Sequence, residues 1–199
     1  MPLLCLVSGA PACGKTTLAR RLSQALSWPM AAKDEIKERL FDEVGFASRA
    51  EKVRLGQAAG RILLYFGAQQ LACGQSCILE SNFSHADRPA LEALAARWAA
   101  PLLTVRLRCQ PDVLYRRFVA RDQDASRHRG HVVNDRFPEP PGPRPYAPPM
   151  DEAEFHRRMA ASGILDFGLG RVIPVDTTDF ATLDFAALAA QIKEESATG

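Results

Sequence analysis

The chain has 199 residues, with 25 basic and 23 acidic side chains and a formal net charge of +2. This length is typical of one domain that buries its own core. Hydrophobic residues make up 47% of the chain and charged residues 24%, which excludes a disordered or fibrous protein. The charge near zero produces no global field of the kind that marks an obligate nucleic-acid or membrane binder.

The five cysteines are odd in number, and they form neither a C-x-x-C pair nor a pattern with histidines at zinc spacing. Neither a disulfide framework nor a zinc site is therefore predicted. The apolar run at residues 2–7 is too short for the core of a signal peptide, and no apolar stretch is long enough for a transmembrane helix. We expect a cytoplasmic protein with reduced thiols at Cys5, Cys13, Cys73, Cys77 and Cys109.

Short apolar runs predict buried strands, and apolar residues at helical spacing predict helices. Strands are predicted at residues 3–8, 29–32, 76–80, 102–109 and 171–175. Helices are predicted at residues 16–27, about 34–41, 88–99, 111–121, 151–161 and 183–194, and residues 49–74 form either one long helix or two stacked ones. This alternation is typical of an α/β protein and predicts a three-layer α/β/α domain with a five-stranded parallel sheet.

Residues 124–150 interrupt the alternation. The segment is rich in arginine and histidine and then contains seven of the chain's 14 prolines, at positions 138, 140, 141, 143, 145, 148 and 149. Two interpretations stay open: a solvated surface loop with polyproline character, or an arginine-rich lid over a phosphate site. We predict one domain over residues 1–199, with this segment as a lid or loop insertion.

Residues 9–16 match the pattern G-x-x-x-x-G-K-[ST] and lie between a predicted strand and a predicted helix, as a P-loop requires. In such a loop, backbone N–H groups surround the phosphates, Lys15 bridges the β- and γ-phosphates, and the Thr16 hydroxyl binds Mg²⁺. ATP and Mg²⁺ are therefore the expected cofactors. A thiol near a helix N-terminus also predicts a reactive Cys13. The predicted nucleotide-binding residues here are Gly9, Ala10, Pro11, Ala12, Cys13, Gly14, Lys15, Thr16 and Thr17.

Polar residues follow the second and third predicted strands, whose ends border the P-loop in a parallel sheet. Asp34 is predicted to orient or deprotonate an acceptor hydroxyl, and Lys37, one turn later, to hold an anionic group. A helix N-cap is the alternative role for Asp34. Glu80 ends a buried strand and is predicted to face Mg²⁺ or its water shell, with an arginine ion pair as the alternative. Asn82 is a predicted substrate contact.

Arg117 and Arg121 lie four residues apart, so they share one face of a helix that leads towards Arg127 and Arg129. Guanidinium groups can stabilise a transferring phosphoryl group and exclude water. Arg121 is therefore a predicted catalytic residue together with Lys15 and Asp34, Arg117 and Arg121 are predicted nucleotide contacts, and Arg127 and Arg129 are predicted substrate contacts. Arg116 remains the alternative to Arg117, and His128 and His131 are expected to be solvated loop residues rather than substrate contacts.

Four stretches together resemble the P-loop kinase family with a nucleoside-kinase-like fold, whose members include the 5′-kinase domain of polynucleotide kinase, chloramphenicol phosphotransferase and gluconate kinase. They are S-G-x-P-x-x-G-K-T-T-L-A at 8–19, K-D-E-I-K at 33–37, I-L-E-S-N-F at 78–83 and V-D-T-T at 175–178. The resemblance implies that Asp34 is the base on the acceptor side, that Lys37 binds the substrate and that Arg121 binds ATP. It also implies that Thr177 lies near the adenine. The chain departs from the family at Glu80, where aspartate is more usual.

The predicted function is an ATP-dependent phosphotransferase that moves the γ-phosphate to a hydroxyl of a small-molecule acceptor, with no membrane partner. A polynucleotide 5′-hydroxyl kinase is one alternative. A polynucleotide acceptor is less favoured than a small molecule, because the net charge is near zero and the sequence has no evident aromatic stacking platform. A non-catalytic, ATP-binding regulatory module is the other alternative.

Overall fold

The computed structural model describes residues 1–142 and 150–198. Its strands are β1 (Leu4–Ser8), β2 (Met30–Ala32), β3 (Cys77–Glu80), β4 (Leu102–Arg108) and β5 (Arg171–Asp176). Its helices are α1 (Lys15–Leu26), α2 (Lys33–Val44), α3 (Arg49–Ala72), α4 (Arg88–Arg97), α5 (Pro111–Gln123), α6 (Arg129–Val132), α7 (Glu152–Ala161) and α8 (Phe185–Thr198). Short 3₁₀ turns occur at His85–Asp87 and Phe180–Thr182.

The strands form one sheet in the order β2-β3-β1-β4-β5, and every pair of neighbours is parallel. The predicted five-stranded parallel sheet is therefore confirmed. From β1 the chain passes to the edge strand β2, returns to β3 beside β1, and then crosses to β4 and β5 on the other side, so the direction of the connections reverses at the centre of the sheet. Ligands of open α/β sheets bind at such a reversal, beyond the carboxyl ends of the strands. The loop that follows β1 is the predicted P-loop.

Two separate cores cover the two faces of the sheet. Side chains alternate along a strand, so Cys5 and Val7 of β1 face one core and Leu4 and Leu6 face the other. The first core contains residues of α1, α5, α7 and α8, and the second contains residues of α3 and α4. Burial on both faces explains the continuous apolar run of β1 and confirms the predicted α/β/α layers.

Residues 49–72 form a single helix, which settles the choice between one long helix and two stacked ones. The side chain of Ser48 accepts a hydrogen bond from the Glu51 amide and caps the start of α3. Gly67 lies against the sheet, where an added Cβ would come within 3.2 Å of Leu79 and 3.3 Å of Leu94. Close packing thus outweighs the low helix propensity of glycine. No helix among the described residues is long and apolar enough to cross a membrane.

The segment after α5 is more structured than the sequence predicted. It contains α6 and an antiparallel bridge between Phe137 and Phe46. The buried Lys52 of α3 donates hydrogen bonds to the carbonyls of His131 and Val133. These contacts dock residues 129–137 on α3 and on the loop that precedes it, which does not fit the interpretation of this part as a solvated surface loop. Pro143, Pro145, Pro148 and Pro149 of the predicted proline-rich stretch lie outside the described residues.

Candidate functional site

The loop between β1 and α1 folds around the amino group of Lys15. Ala12 and Gly14 have positive φ angles of 65° and 88°, which turn the chain into the start of α1. Lys15 is buried, and its Nζ donates a hydrogen bond to the Ala10 carbonyl at 2.8 Å. Gly14 is the N-cap of α1 and supplies no capping side chain. The first-turn amides of α1 therefore remain available to an anion.

Thr16 and Glu80 meet beside Lys15. The Thr16 hydroxyl donates to Glu80 Oε2 at 2.8 Å, and Glu80 is only 4% exposed. Burial raises the pKa of Glu80, although Lys15 and the Thr16 hydrogen bond act in the opposite direction. The arginine ion pair that was the alternative for Glu80 is not found among the described residues.

A hydroxyl and a carboxylate oxygen suit Mg²⁺, which usually takes one or two protein oxygens and completes its shell with phosphates and water. The pair Thr16 and Glu80 therefore fits this ion. Residues 1–142 and 150–198 contain no cluster of three or more His, Cys, Asp or Glu side chains that could hold a metal alone.

Asp34 lies in the first turn of α2. The N-cap of this helix is Ala32, so the alternative role of Asp34 as the N-cap is wrong. Burial tends to raise the pKa of Asp34, but the nearby positive charges of Lys37, Arg127 and Lys15 act in the opposite direction and hold the pKa below its usual value. Asp34 is thus ionised at neutral pH, which is the form that a general base needs.

Three cavities meet at Asp34 and Asn82, which line all of them. The P-loop cavity, of about 520 Å³, is lined by Gly14, Lys15, Thr16, Thr17, Arg117 and Phe180 among others. The α2–α3 cavity, of about 660 Å³, is lined by Lys33, Lys37, Gly56, Gly60, Arg61 and Phe83 among others. The lid cavity, of about 800 Å³, is lined by Pro11, Phe118, Arg121, Arg158 and Met150 among others.

Three predicted arginines reach these cavities. Arg117 lines the P-loop cavity, and Arg121 and Arg127 line both the P-loop cavity and the lid cavity. Arg121 forms an ion pair with Asp122 at 3.1 Å. The side chain of Arg127 is only 15% exposed, and its Nε has no hydrogen-bond partner within the part of the chain that the structure describes. Its guanidinium lies 3.7 Å from Asp122 and 3.9 Å from Glu38, so carboxylates balance its charge beside the P-loop cavity.

Arg117 also supports the chain that follows β5. Its guanidinium donates to the carbonyls of Thr177 and Thr178 at 2.7 and 2.8 Å and lies 5.8 Å from the centre of the Phe180 ring. The adjacent Arg116 instead forms an ion pair with Asp112 on the surface, at 3.2 Å. The structure thus places Arg117, and not Arg116, at the cavity.

Two predicted binding residues point elsewhere. Arg129 forms a two-pronged ion pair with Glu139, with both N···O distances at 2.7 Å, and it lines none of the three cavities. Thr177 is fully buried, and its hydroxyl donates to the Cys13 carbonyl at 2.8 Å. Thr177 therefore supports the P-loop from behind, and the expected nucleotide contact of its side chain is corrected to a positioning role.

Cys13 is 1% exposed within the P-loop. Burial raises the pKa of its thiol and outweighs the opposing effect of Lys15. The prediction of a reactive thiol is therefore wrong, because desolvation of the thiolate exceeds the benefit of the helix N-terminus.

The loop histidines are not solvated as expected. His131 Nε2 lies 2.9 Å from Glu38, and His128 Nε2 lies 2.9 Å from Asp42, so both connect the segment after α5 to α2. Burial lowers the pKa of His131 to about 3 despite the opposing charge of Asp34, which leaves the ring neutral at pH 7.

Phe180 is a further residue of the site, and the sequence did not predict it. Its ring lies over Gly14, where an added Cβ would come within 2.1 Å of the ring. Phe180 begins the 3₁₀ turn after β5, which is capped by the side chain of Asp179. No local pattern marks this aromatic residue, because its place beside the P-loop depends on β5 joining the sheet.

Comparisons with known proteins agree with this geometry. A family model described as an AAA domain (AAA_33) matches residues 4–140. A protein from Chloroflexus aurantiacus J-10-fl, described as a "putative kinase", is 32% identical, with a TM-score of 0.79 and 97% of each chain covered. No curated protein matches.

Two more distant structures share the fold. A gluconokinase from Sinorhizobium meliloti 1021 has a TM-score of 0.52 and 16% identity, with 98% of each chain covered. A shikimate kinase from Bacteroides thetaiotaomicron has a TM-score of 0.54 and 14% identity, with 96% of this chain and 97% of that chain covered. The chain therefore has a P-loop kinase fold, and this family uses ATP and Mg²⁺ in general.

Proposed function

The chain belongs to the AAA domain family whose model it matches, and we propose that it is a kinase that moves the γ-phosphate of ATP to a hydroxyl of a small-molecule acceptor. One observation carries the proposal: the P-loop cavity and the α2–α3 cavity meet at the ionised carboxylate of Asp34. A nucleotide in the first cavity and an acceptor in the second would thus react beside a base. The kinase-assigned structure at 32% identity supports this assignment.

In this mechanism the acceptor hydroxyl donates a hydrogen bond to Asp34, which orients it and accepts its proton as the new O–P bond forms. The bond between the γ-phosphorus and the oxygen that bridges it to the β-phosphate breaks in the same transfer, and ADP leaves. Asn82, which lines all three cavities, fixes the same hydroxyl or its neighbour. Because holding two reactants in line converts a bimolecular step into a unimolecular one, this positioning supplies a large part of the rate.

Positive groups stabilise the charge that develops on the transferring phosphoryl group. Lys15 would leave the Ala10 carbonyl for the β- and γ-phosphates, while Arg121 and Arg127 would contact the phosphoryl oxygens from the side of the lid cavity. Thr16 and Glu80 would hold Mg²⁺, which when bound neutralises phosphate charge. We further propose that residues 1–199 act as one domain, with a lid or loop insertion at about residues 124–150.

The test is Asp34→Asn, which keeps the size of the side chain and removes the base. We expect kcat for phosphate transfer to fall at least about 100-fold, as for loss of general acid–base catalysis, with Mg·ATP affinity nearly unchanged. Transfer would be measured with labelled ATP against sugars, nucleosides, antibiotics and 5′-hydroxyl oligonucleotides, with Lys15→Ala as the blank.

Asp112→Asn is the matched control, because Asp112 is an exposed aspartate on α5. It should keep wild-type turnover. If Asp34→Asn turned over as fast as this control, Asp34 would not be the base. Tight ATP binding without any product would instead favour a regulatory module, and product from the oligonucleotide alone would favour a polynucleotide 5′-kinase.

A further inference from the structure

The α2–α3 cavity has an excess of positive charge. Five cationic side chains line it and three carboxylates oppose them. The cations are Lys33, Lys37, Arg49, Lys52 and Arg61, and the carboxylates are Asp34, Glu80 and Asp87. Like charges gathered in a cavity destabilise one another unless an anion joins them.

Two of the three carboxylates are already engaged. Glu80 accepts the Thr16 hydroxyl on the P-loop side at 2.8 Å. Asp87 Oδ2 accepts hydrogen bonds from the amide and the hydroxyl of Ser84, at 2.8 and 3.0 Å. Asp34 is the proposed base. None of the three forms an ion pair with Lys33, Lys37 or Arg61 in residues 1–142 and 150–198.

Lys33 and Lys37 extend from α2 across two glycines of α3. The Lys37 Cε lies 3.6 Å from the position of a Cβ on Gly56, and the Lys33 Cε lies 3.6 Å from that of a Cβ on Gly60. The glycines are four residues apart, so they share one face of α3. Their lack of side chains leaves room for both lysines and for a ligand between the helices.

The electrostatic environment of Lys37 also favours the binding of an anion in the α2–α3 cavity. Burial lowers the pKa of Lys37, and the neighbouring Lys33, Arg127 and Arg49 lower it further, while Asp34 partly opposes them. A bound anion would relieve this repulsion and return the Lys37 pKa towards its ordinary value. Binding should therefore be accompanied by proton uptake where Lys37 is partly deprotonated.

Part of the remaining wall of the α2–α3 cavity is apolar and includes Leu63, Leu64, Phe83 and Leu91, while Gln57, Ser81 and Asn82 are polar. We infer that the acceptor is an anionic hydroxyl compound, a phosphate ester or a carboxylate, whose anionic group binds between Lys33, Lys37 and Arg61 while its hydroxyl faces Asp34. This inference rests on the proposed kinase function. A cavity of about 660 Å³ has the size of a small-molecule site.

The helix also sets the distance between the two ends of the acceptor. Lys37 follows Asp34 by three residues in α2, and side chains at this spacing are neighbours on one face, about 5–6 Å apart at Cβ. The anionic group therefore lies one helical turn from the reacting hydroxyl, which favours a short acceptor over a long one.

Binding is tested first, without turnover. The protein is saturated with Mg·ADP, so that the P-loop is occupied, and titrated in a calorimeter with glycerol, glycerate and glycerol 3-phosphate. We expect one or both anions to bind and glycerol not to. Lys37→Met and Arg61→Met should each weaken anion binding by about 10-fold or more, as for loss of a charged hydrogen bond.

Arg39→Met is the matched control, because Arg39 is an exposed cation of the same helix and lies outside the α2–α3 cavity. It should change anion affinity less than about twofold, as surface pairs contribute little. Equal losses in Lys37→Met and Arg39→Met would contradict the site. A preference for glycerate or for glycerol 3-phosphate distinguishes a carboxylate from a phosphate ester.

Transfer is then compared within matched sets: the three glycerol compounds, and glucose with gluconate and glucose 6-phosphate. The anionic member should have the higher kcat/KM by about 10-fold or more, and Lys37→Met should remove that difference. Efficient transfer to neutral members alone would overturn the inference and leave the kinase function intact. Anion binding at Lys37 without transfer to any compound would support the anion site and contradict the kinase function.

Discussion

At Asp34, burial and positive charge act on the same carboxyl group in opposite directions. Burial disfavours the ionised form, whereas the positive charges of Lys37, Arg127 and Lys15 favour it, and the net effect is a pKa below the usual value. The ionised carboxylate is therefore more stable in the folded protein than in the unfolded chain. Asp34 supports the fold at the same time as it serves as the proposed base.

The pH dependence of stability should report this effect. We expect Asp34→Asn to lower the free energy of unfolding at pH 7 by about 1–3 kcal/mol, since the neighbouring cations lose their counter-charge. A depressed pKa gives stability that is present above the unfolded pKa and lost as pH falls through the folded pKa. The difference between wild type and variant should thus shrink in acid, as measured by urea unfolding at a series of pH values.

The exposed Asp112 again supplies the comparison. Asp112→Asn should change stability by less than about 0.5 kcal/mol at any pH in the series, because surface pairs contribute little. A wild-type stability that matched Asp34→Asn at pH 7 would mean that the cations do not stabilise this carboxylate.

Residues 128–134, which follow α5, are held against the rest of the molecule by side chains from two other helices. Lys52 of α3 donates to two of their carbonyls and to Asn134, while α2 supplies Glu38 and Asp42 to the two histidines. Gly130 of α6 lies over Phe41, where an added Cβ would come within 2.3 Å of the ring. The docked state of the proposed lid depends on these contacts.

Lys52→Met should release this segment, because methionine keeps the length of the side chain and donates no hydrogen bond. We expect amide hydrogen exchange of residues 129–137 to become about 10-fold faster or more, since each buried hydrogen bond to a charged group is worth about 1.5–3 kcal/mol. Exchange in β1 should not change. Lys193→Met, an exposed lysine of α8, should have no effect, and equal exchange in the two variants would show that Lys52 is not the anchor.

The elements that the sequence predicts well are those whose pattern is local. The continuous apolar run of β1 and the helical spacing of α1 reflect burial that each element imposes on its own residues. α6 cannot be predicted in this way, because its four residues include Gly130 and have little helical preference of their own. Its position follows from contacts with α2 and α3, which lie far away in sequence.

The candidate site shows the same division. The P-loop and Asp34 are recognisable because their spacing and their place at strand ends carry the information. Phe180 is not recognisable in this way, and neither are Gly56 and Gly60, which make room for Lys37 and Lys33. Their roles depend on which elements pack together in the folded chain. Arg129 illustrates the opposite error. The sequence predicts a substrate contact at this residue, but its guanidinium forms an ion pair with Glu139.

For the molecule as a whole, the P-loop is part of the core that contains residues of α1, α5, α7 and α8, through Ala10 and Cys13. It follows the central strand β1 and is supported from β5 by the Thr177 hydroxyl. A nucleotide that binds this loop binds only the folded chain, because the unfolded chain has no such cavity. Binding should therefore stabilise the entire domain by linkage.

Mg·ADP should raise Tm in a scanning calorimeter or a dye-based melt. At a concentration of 100 times Kd, linkage adds about 2.7 kcal/mol of stability. For a chain of this size, each kcal/mol corresponds to about 2–4 °C in Tm. Lys15→Ala should abolish the shift and Lys193→Ala should keep it. A full shift in Lys15→Ala would mean that the nucleotide binds elsewhere.

The hydrogen bond from Thr177 to Cys13 spans 164 positions of the chain. During synthesis a ribosome delivers the P-loop 164 residues before its support, at about 5–20 residues per second. The loop thus waits for many seconds before β5 adds to the edge of the sheet beside β4. A nascent chain gains the complete proposed nucleotide site only after β5 has paired, so nucleotide binding would report that the sheet is finished.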